Sequence, residues 1–312
     1  MKQITDSILM IRPVAFRMNE QTAVNNYYQK VMDGLLPSTV NAKAQQEFDA
    51  FVEKLRAVGV NVVVVDDTVD PDTPDSIFPN NWVSFHETGD VVLYPMFAEN
   101  RRAERREDIF DVLEEKGFDF EEIMDYTSAE EDNIFLEGTG SLVLDRENQK
   151  AYCALSPRAD EELMIEFCED FEFSPVIFEA FQTVNGERKH IYHTNVMMCV
   201  GTTFAVICAD CIDDKKERKA VLASLRQDGK ELILLTEAQL NHFAGNMLQV
   251  QGKDKSYLVM SQAAKSVLTA EQVKMIEKHV EILSVNLDTI EACGGGSARC
   301  MMAEVFLPKK DE

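Results

Sequence analysis

The sequence predicts an α/β protein built as a ring of five ββαβ units, the last closed by the two ends of the chain. Three observations predict it. Short β-branched runs alternate with amphipathic stretches along the whole length. The order strand, turn, strand, helix, strand recurs, and the residues opening the first strands fall at Asn81, Glu137, His193, Asn246 and Cys300, in steps of 56, 56, 53 and 54. The unit opened by Cys300 is incomplete, and the pieces it lacks (strand, helix, strand) stand at the N-terminus between Ser7 and Val65.

Each element follows from local pattern. Ser7–Pro13 is an apolar strand. Residues 14–40 are polar, carry Asn25, Asn26, Tyr27 and Tyr28, and read as an excursion holding a short helix, a candidate lid. Asn41–Gly59 is an amphipathic helix with Phe48, Phe51, Val52, Leu55 and Val58 on one face and Gly59 as its stop. Val60–Val65 is a buried strand, followed by an Asp- and Pro-rich loop to Pro79.

In the first full unit, Trp82–His86 and Val91–Pro95 are strands and Ala98–Lys116 is one charged helix. In the second, Gly140–Asp145 and Ala151–Leu155 are strands, Ala159–Glu169 a helix and Ser174–Phe181 a strand. In the third, Asn195–Val200 and Phe204–Ala209 are strands, Asp213–Leu225 a helix and Glu231–Thr236 a strand. A short helix, Glu237–Phe243, leads to the fourth, with strands at Met247–Gln251, Tyr257–Ser261 and Val280–Val285 and a helix at Thr269–Lys278. Cys300–Leu307 reads as the final strand, entered through Gly294, Gly295 and Gly296, whose missing Cβ atoms permit close approach.

Composition narrows the function. The 312 residues suffice for a large core, and the reading is a single domain over 1–312. With 31 basic and 55 acidic residues the net charge is −24, which disfavours nucleic acid and anionic membranes as partners. No apolar run approaches the ~20 residues of a membrane helix. Seven cysteines, an odd number without metal-ligand spacing, point to a reducing cytoplasm and to buried thiols with one reactive member. Cys208 and Cys211 form a CxxC without a second pair, so no metal and no cofactor are expected. The expected partner is a small amino-acid substrate; oligomeric state is left open, a dimer included.

A ring brings the openings of its first strands together on the axis, so Glu137, His193 and Cys300 would face one another. A lone His before a strand is usually structural, and a lone Glu-Gly-Thr-Gly is usually a turn. All three at equivalent repeat positions is a stronger signal. The residues Phe78-Pro-Asn-Asn81, Leu136-Glu137-Gly-Thr-Gly140, Ser156-Pro-Arg158, His193-Thr-Asn195 and Gly294-Gly-Gly-Ser-Ala-Arg-Cys300 resemble the motifs of the pentein, or guanidino-group-modifying, superfamily, and most closely its citrulline-utilisation hydrolase branch. The resemblance spans essentially the whole chain. It implies a five-bladed αβ propeller and a cysteine nucleophile.

The chemistry suits these residue types. Attack on a guanidino or ureido carbon needs a thiolate, so Cys300 is the candidate nucleophile. His193 would carry protons to the leaving nitrogen and from water, and Glu137 would orient it. Where arginine-acting deiminases carry Asp, this chain has Asn81 and Asn195. A guanidinium offers only donors and suits carboxylates, whereas a ureido group mixes one carbonyl acceptor with donors and suits an amide. The expectation is therefore hydrolysis of citrulline to ornithine, ammonia and carbon dioxide. Alternatives are arginine deiminase, dimethylargininase or succinylarginine-dihydrolase-like activity, an amidinotransferase, and a non-catalytic binding module. The resemblance also suggests Arg158 for a substrate carboxylate, Asp75 for an α-amino group and Phe78 for the pocket wall. Arg299 is a candidate for a carboxylate or for a structural role. Arg101 and Arg102 read as a solvated helix face, with one of them able to turn inward.

Overall fold

The structure, a computed structural model, describes residues 1–310 except 31 and 33. Two positions of the candidate lid therefore lie outside the described residues.

Five three-stranded sheets repeat one topology among the described residues. In each, the first strand pairs antiparallel with the second, and the second pairs parallel with the third across a helical connection. The strands are Val83–Phe85, Asp90–Leu93 and Glu122–Asp125; then Leu142–Asp145, Lys150–Leu155 and Ser174–Glu179; then Met198–Val200, Phe204–Ile207 and Glu231–Leu234; then Leu248–Gln251, Ser256–Ser261 and Glu281–Val285. The fifth sheet joins the chain ends. Ser7–Arg12 pairs parallel with Asn61–Asp66 and antiparallel with Ala303–Glu304, Leu9 lying opposite Ala303.

The connecting helices bury an apolar stripe on these sheets. Pro37–Ala57 buries Val40, Ala44, Phe48, Phe51, Val52 and Leu55, spaced three and four apart. It starts four residues earlier than the sequence pattern suggests, because Pro37 is a good first helical residue. Asp160 and Asp214 cap their helices by accepting backbone N–H bonds, and Thr269 and Gln272 form a capping box.

Several elements differ from expectation, three of them where first strands open. Ala98–Lys116 is two helices, Glu99–Arg102 and Asp108–Glu115. The break lets Arg101 turn inward onto Glu104, Asn81 and the Phe78 carbonyl, which a straight solvated helix would forbid. The strands expected from Gly140 and Asn195 start later, at Leu142 and Met198, after helical turns at Gly138–Ser141 and Thr194–Val196. Cys300–Leu307 contains only Ala303–Glu304 as strand, and Cys300 sits in a turn whose N–H bonds the Ser297 carbonyl at 3.0 Å. Residues 14–30 hold hydrogen-bonded turns, such as Ala23 N–H to the Asn19 carbonyl at 3.1 Å, in place of the short helix. A helix at Asp288–Gly294 and a hairpin of Phe181–Val184 with Glu187–His190 have no counterpart in the sequence reading.

The consequence for the site is direct. The turn at Gly138–Ser141 packs against both Pro79–Asn81 and Thr194–Val196. Helical turns swing side chains off the sheet ends, and three neighbouring units thereby point Asn81, Glu137 and His193 at one volume.

Candidate active site

Glu137 is fully buried, and its Oε2 lies 2.7 Å from His193 Nε2. The other oxygen accepts the Phe97 N–H at 3.0 Å. Arg158 Nη1 approaches Oε2 at 3.4 Å. Burial alone would raise the Glu137 carboxyl; Arg158, then His193 and Arg101, overcome it and hold the group at about 2. Burial dominates on the partner: His193 is lowered to about 4 although Glu137 pulls upward, because Arg158 and Arg101 add to the desolvation. The resting pair is a carboxylate and a neutral imidazole. An ionised carboxylate only accepts, so the proton sits on Nε2 and leaves the Nδ1 lone pair free.

Cys300 is 3% exposed. The Asn246 Nδ2 donor lies 3.2 Å from Sγ, and Asn195 Oδ1 lies 3.8 Å away. Asn246 is itself fixed by the Arg299 N–H to its Oδ1 at 3.0 Å and by its bond to the Asn195 carbonyl at 3.1 Å. Burial pushes the Cys300 thiol up, partly offset by its backbone bond to Ser297, the Asn246 amide and the charge of Arg299. Cys300 at rest is therefore a thiol.

Asn81 Oδ1 accepts Arg101 Nη1 at 2.9 Å, while its buried Nδ2 has no partner among the described residues. Gly140 makes room for it: a Cβ there would sit 2.3 Å from Asn81 Nδ2 and 2.9 Å from His193 Nδ1. Asp75 Oδ2 accepts from Asn19 Nδ2 at 2.9 Å and Thr22 Oγ1 at 3.0 Å, and its buried Oδ1 has no partner among the described residues. Burial raises the Asp75 carboxyl, an effect that a bound cation would reverse.

Residues 19–29 close over this cavity. Asn26 Nδ2 donates to the Gly294 and Gly295 carbonyls at 3.3 and 3.2 Å, and Gln29 Nε2 to Gly294 at 3.1 Å. Gly295 has φ +62, and a Cβ on it would strike the Asn26 amide at 2.6 Å. Phe78 lies against Gly294 and Gly296, where Cβ atoms would come within 2.7 and 2.9 Å of its ring. Tyr192 Oη donates to the Gly295 carbonyl at 2.5 Å.

One narrow cavity is thus lined by Cys300, His193, Asn81, Asp75, Phe78 and Arg158, with Arg101, Tyr192, Thr22 and Asn26 added. Arg158 has its donors engaged: Nε bonds Asn25 Oδ1 at 2.9 Å, Nη2 bonds the Thr22 carbonyl at 3.0 Å and also Asn25. Asn195 stands behind the thiol, its Nδ2 on the Thr139 carbonyl at 3.2 Å. Arg299 is not brought to the cavity by its side chain. It pairs with Glu304 at 2.9 Å and with the Met302 carbonyl at 2.8 Å. Tyr192, Asn26 and Gln29 were not singled out from sequence, since they lie outside the repeat positions. Among the described residues no cluster of His, Cys, Asp and Glu suits a metal ion, and no helix is long and apolar enough to cross a membrane.

The repeated αβ sheets fit the pentein superfamily of guanidino-modifying enzymes, to which the matching family model belongs. Within it, the family model described as N,N dimethylarginine dimethylhydrolase, eukaryotic, matches residues 12–307, and the chain belongs to that family. No curated protein sequence matches the chain. Among solved structures, apo ArgZ, an arginine dihydrolase from the ornithine-ammonia cycle in Cyanobacteria, superposes with TM-score 0.72 at 16% identity, over 97% of this chain and 41% of that one. AgrE in its ternary complex with ornithine and NAD+ gives TM-score 0.71 at 18% identity, over 98% and 40%. A dimethylarginine dimethylaminohydrolase adduct with S-methyl-L-thiocitrulline gives 0.65 at 12% identity, over 96% and 100%. The chain thus spans 41% of the length of ArgZ, and at these identities the likeness is one of fold.

Proposed function

We propose that the protein is a cysteine hydrolase of the terminal C–N bonds of a ureido amino acid, with citrulline giving ornithine, ammonia and carbon dioxide. The observation that carries this reading is the orientation of Asn81. Arg101 can only donate, so it holds Oδ1 and leaves Nδ2 as an unpartnered donor lining the cavity. A donor there suits a ureido carbonyl and opposes a guanidinium N–H. Asn195 likewise stands in place of a carboxylate beside Cys300; Glu137 is already shared by His193 and Arg158, and Asp75, a carboxylate lining the cavity, is kept in this reading for the α-ammonium.

The steps follow from the resting protonation states. His193 Nδ1 accepts the Cys300 proton, and Sγ bonds the ureido carbon. The imidazolium, stabilised by Glu137, returns the proton to the leaving nitrogen, and ammonia departs as the C–N bond breaks. A thiocarbamate remains on Cys300. Water loses a proton to His193, attacks the carbon and displaces the sulfur, which takes that proton back from the imidazolium; the resulting carbamate releases carbon dioxide and the amine. Asp75 Oδ1 would take the α-ammonium. Asn25 Oδ1 sits on Arg158 as a carboxylate oxygen would, and residues 14–40 would act as a lid that gives this place to the substrate carboxylate. The five sheets would be blades of a single propeller domain over 1–312, with these groups near its axis.

A guanidino substrate hydrolysed to the same products is the second reading, and one observation favours it. The buried thiol of Cys300 is raised, and a cationic substrate beside it would promote the thiolate. Release of ammonia from citrulline and arginine, and of dimethylamine from dimethylarginine, with Cys300→Ala as blank, decides. Citrulline alone supports the ureido reading; arginine turnover that stops at citrulline overturns it; turnover of both to ornithine supports the second.

A further inference from the structure

A second cavity lies behind the candidate site and shares no lining residue with it. Leu144, Val200 and Leu248, on the first strands of three sheets, help to wall it. Arg146 is 3% exposed and lines it. The Arg146 guanidinium carbon stands 4.2 Å over the Phe306 ring, and Nη1 approaches His86 Nδ1 at a long 3.5 Å. Among the described residues, Nε and Nη2 make no protein hydrogen bond and no carboxylate pairs with Arg146, but both atoms keep some access to open space. The other polar groups are engaged. Gln3 Nε2 donates to the Leu144 and Val200 carbonyls at 2.9 and 3.0 Å, and its Oε1 accepts the Arg146 N–H at 2.7 Å. Gln249 Oε1 accepts from Thr202, and Arg299 is paired with Glu304.

Two guanidiniums therefore face one carboxylate around this cavity. An arginine does not escape a buried charge by losing its proton; Glu304 and Glu87 act on Arg146 only from a distance, and a contacting anion would satisfy its free donors. The free space is small, on the order of two water molecules. We propose that this cavity binds a small oxyanion of the carboxylate class, held side-on by Nε and Nη2 of Arg146. Two sources share that chemistry: a free small carboxylate, or bicarbonate formed from the carbon dioxide of the proposed reaction. The site stands one link from the nucleophile, because the Arg299 N–H holds Asn246 Oδ1 at 3.0 Å and Asn246 Nδ2 holds Cys300 Sγ at 3.2 Å.

The test is a titration of the full chain with isotope-labelled formate and bicarbonate at constant ionic strength, read by NMR line broadening without turnover. It therefore succeeds or fails independently of the substrate assignment. Saturable binding in the wild type is expected, weakened roughly tenfold or more in Arg146→Gln and unchanged in Arg158→Gln, which alters the candidate active site instead. Arg146→Lys keeps the charge and loses the fork, so it should bind at intermediate strength and covers the case of a Gln variant that does not fold. Similar affinities point to free carboxylates as the source, and a marked preference for bicarbonate points to the reaction's own product. Non-saturating uptake by the wild type, or undiminished binding in both Arg146 variants, overturns the proposal.

Discussion

Arg101 Nη1 lies 2.9 Å from Asn81 Oδ1, and this contact decides which end of the Asn81 amide is left free in the cavity. Arg101 is held in turn by Glu104, at 2.9 Å from both Nε and Nη2. A residue from a segment that reads as solvated surface thus sets the polarity of the buried site.

Replacing Asn81 by Asp exchanges a donor for an acceptor at that position. Asn81→Asp should lower kcat/KM for citrulline roughly 100-fold or more, since a substrate carbonyl would then face a carboxylate. Relative turnover of arginine should rise. Parallel steady-state assays check both; an unchanged citrulline rate would show that Nδ2 does not meet the substrate.

Gly140 separates Asn81 from His193. In Gly140→Ala a Cβ would fall 2.3 Å from Asn81 Nδ2 and 2.9 Å from His193 Nδ1, so one of them must move. The expected result is a fall in kcat of about 100-fold, because displacements near 1 Å carry penalties of that order. Circular dichroism and Tm should show that the fold persists.

The resting thiol predicts a particular pH dependence. Burial raises Cys300 and lowers His193 to about 4, so the free enzyme is thiol and imidazole rather than an ion pair. Alkylation by neutral iodoacetamide should climb with pH through the alkaline range and show no plateau between about pH 5 and 7, where an ion pair would give one. Such a plateau would place the proton on His193 instead.

Glu291 links the glycine turn to stability. Its Oε1 accepts Ser297 Oγ at 2.5 Å, and burial raises its carboxyl to about 7 despite the bonds from Ser261 and Ser297. The folded state binds this proton more tightly than the unfolded chain, so the contribution is complete below about pH 4.5 and is lost as pH rises through about 7. Glu291→Gln cannot ionise and should lose less Tm between pH 5 and 8 than the wild type. Parallel slopes would assign the wild-type loss to other groups.

Cutting the covering segment loose should expose the thiol. The double variant Asn26→Ala with Gln29→Ala removes this segment's own side-chain donors to Gly294 and Gly295. Iodoacetamide should then reach Cys300 several-fold faster at fixed pH, consistent with local opening without global unfolding. An unchanged rate would mean that other contacts keep residues 19–29 in place.

The sequence by itself determined the repeat and, through it, the company that Glu137 and His193 keep. A unit that must bury one face of a sheet recurs with a fixed length, so equivalent positions reach equivalent places. The same periodicity left the ends of the strands undetermined. Helical turns at Gly138–Ser141 and Thr194–Val196 replace expected strand residues, and Cys300 lies in a turn, because contacts between neighbouring units set these local conformations. Arg101, Tyr192 and Asn26 join the cavity from outside the repeat pattern. Their roles depend on partners far along the chain, such as the Gly295 carbonyl for Tyr192 and Asn26, and no local signal encodes that meeting. Protonation was likewise a tertiary matter: the residue types allowed a thiolate–imidazolium pair, and burial beside Arg158 and Arg101 favoured the neutral imidazole.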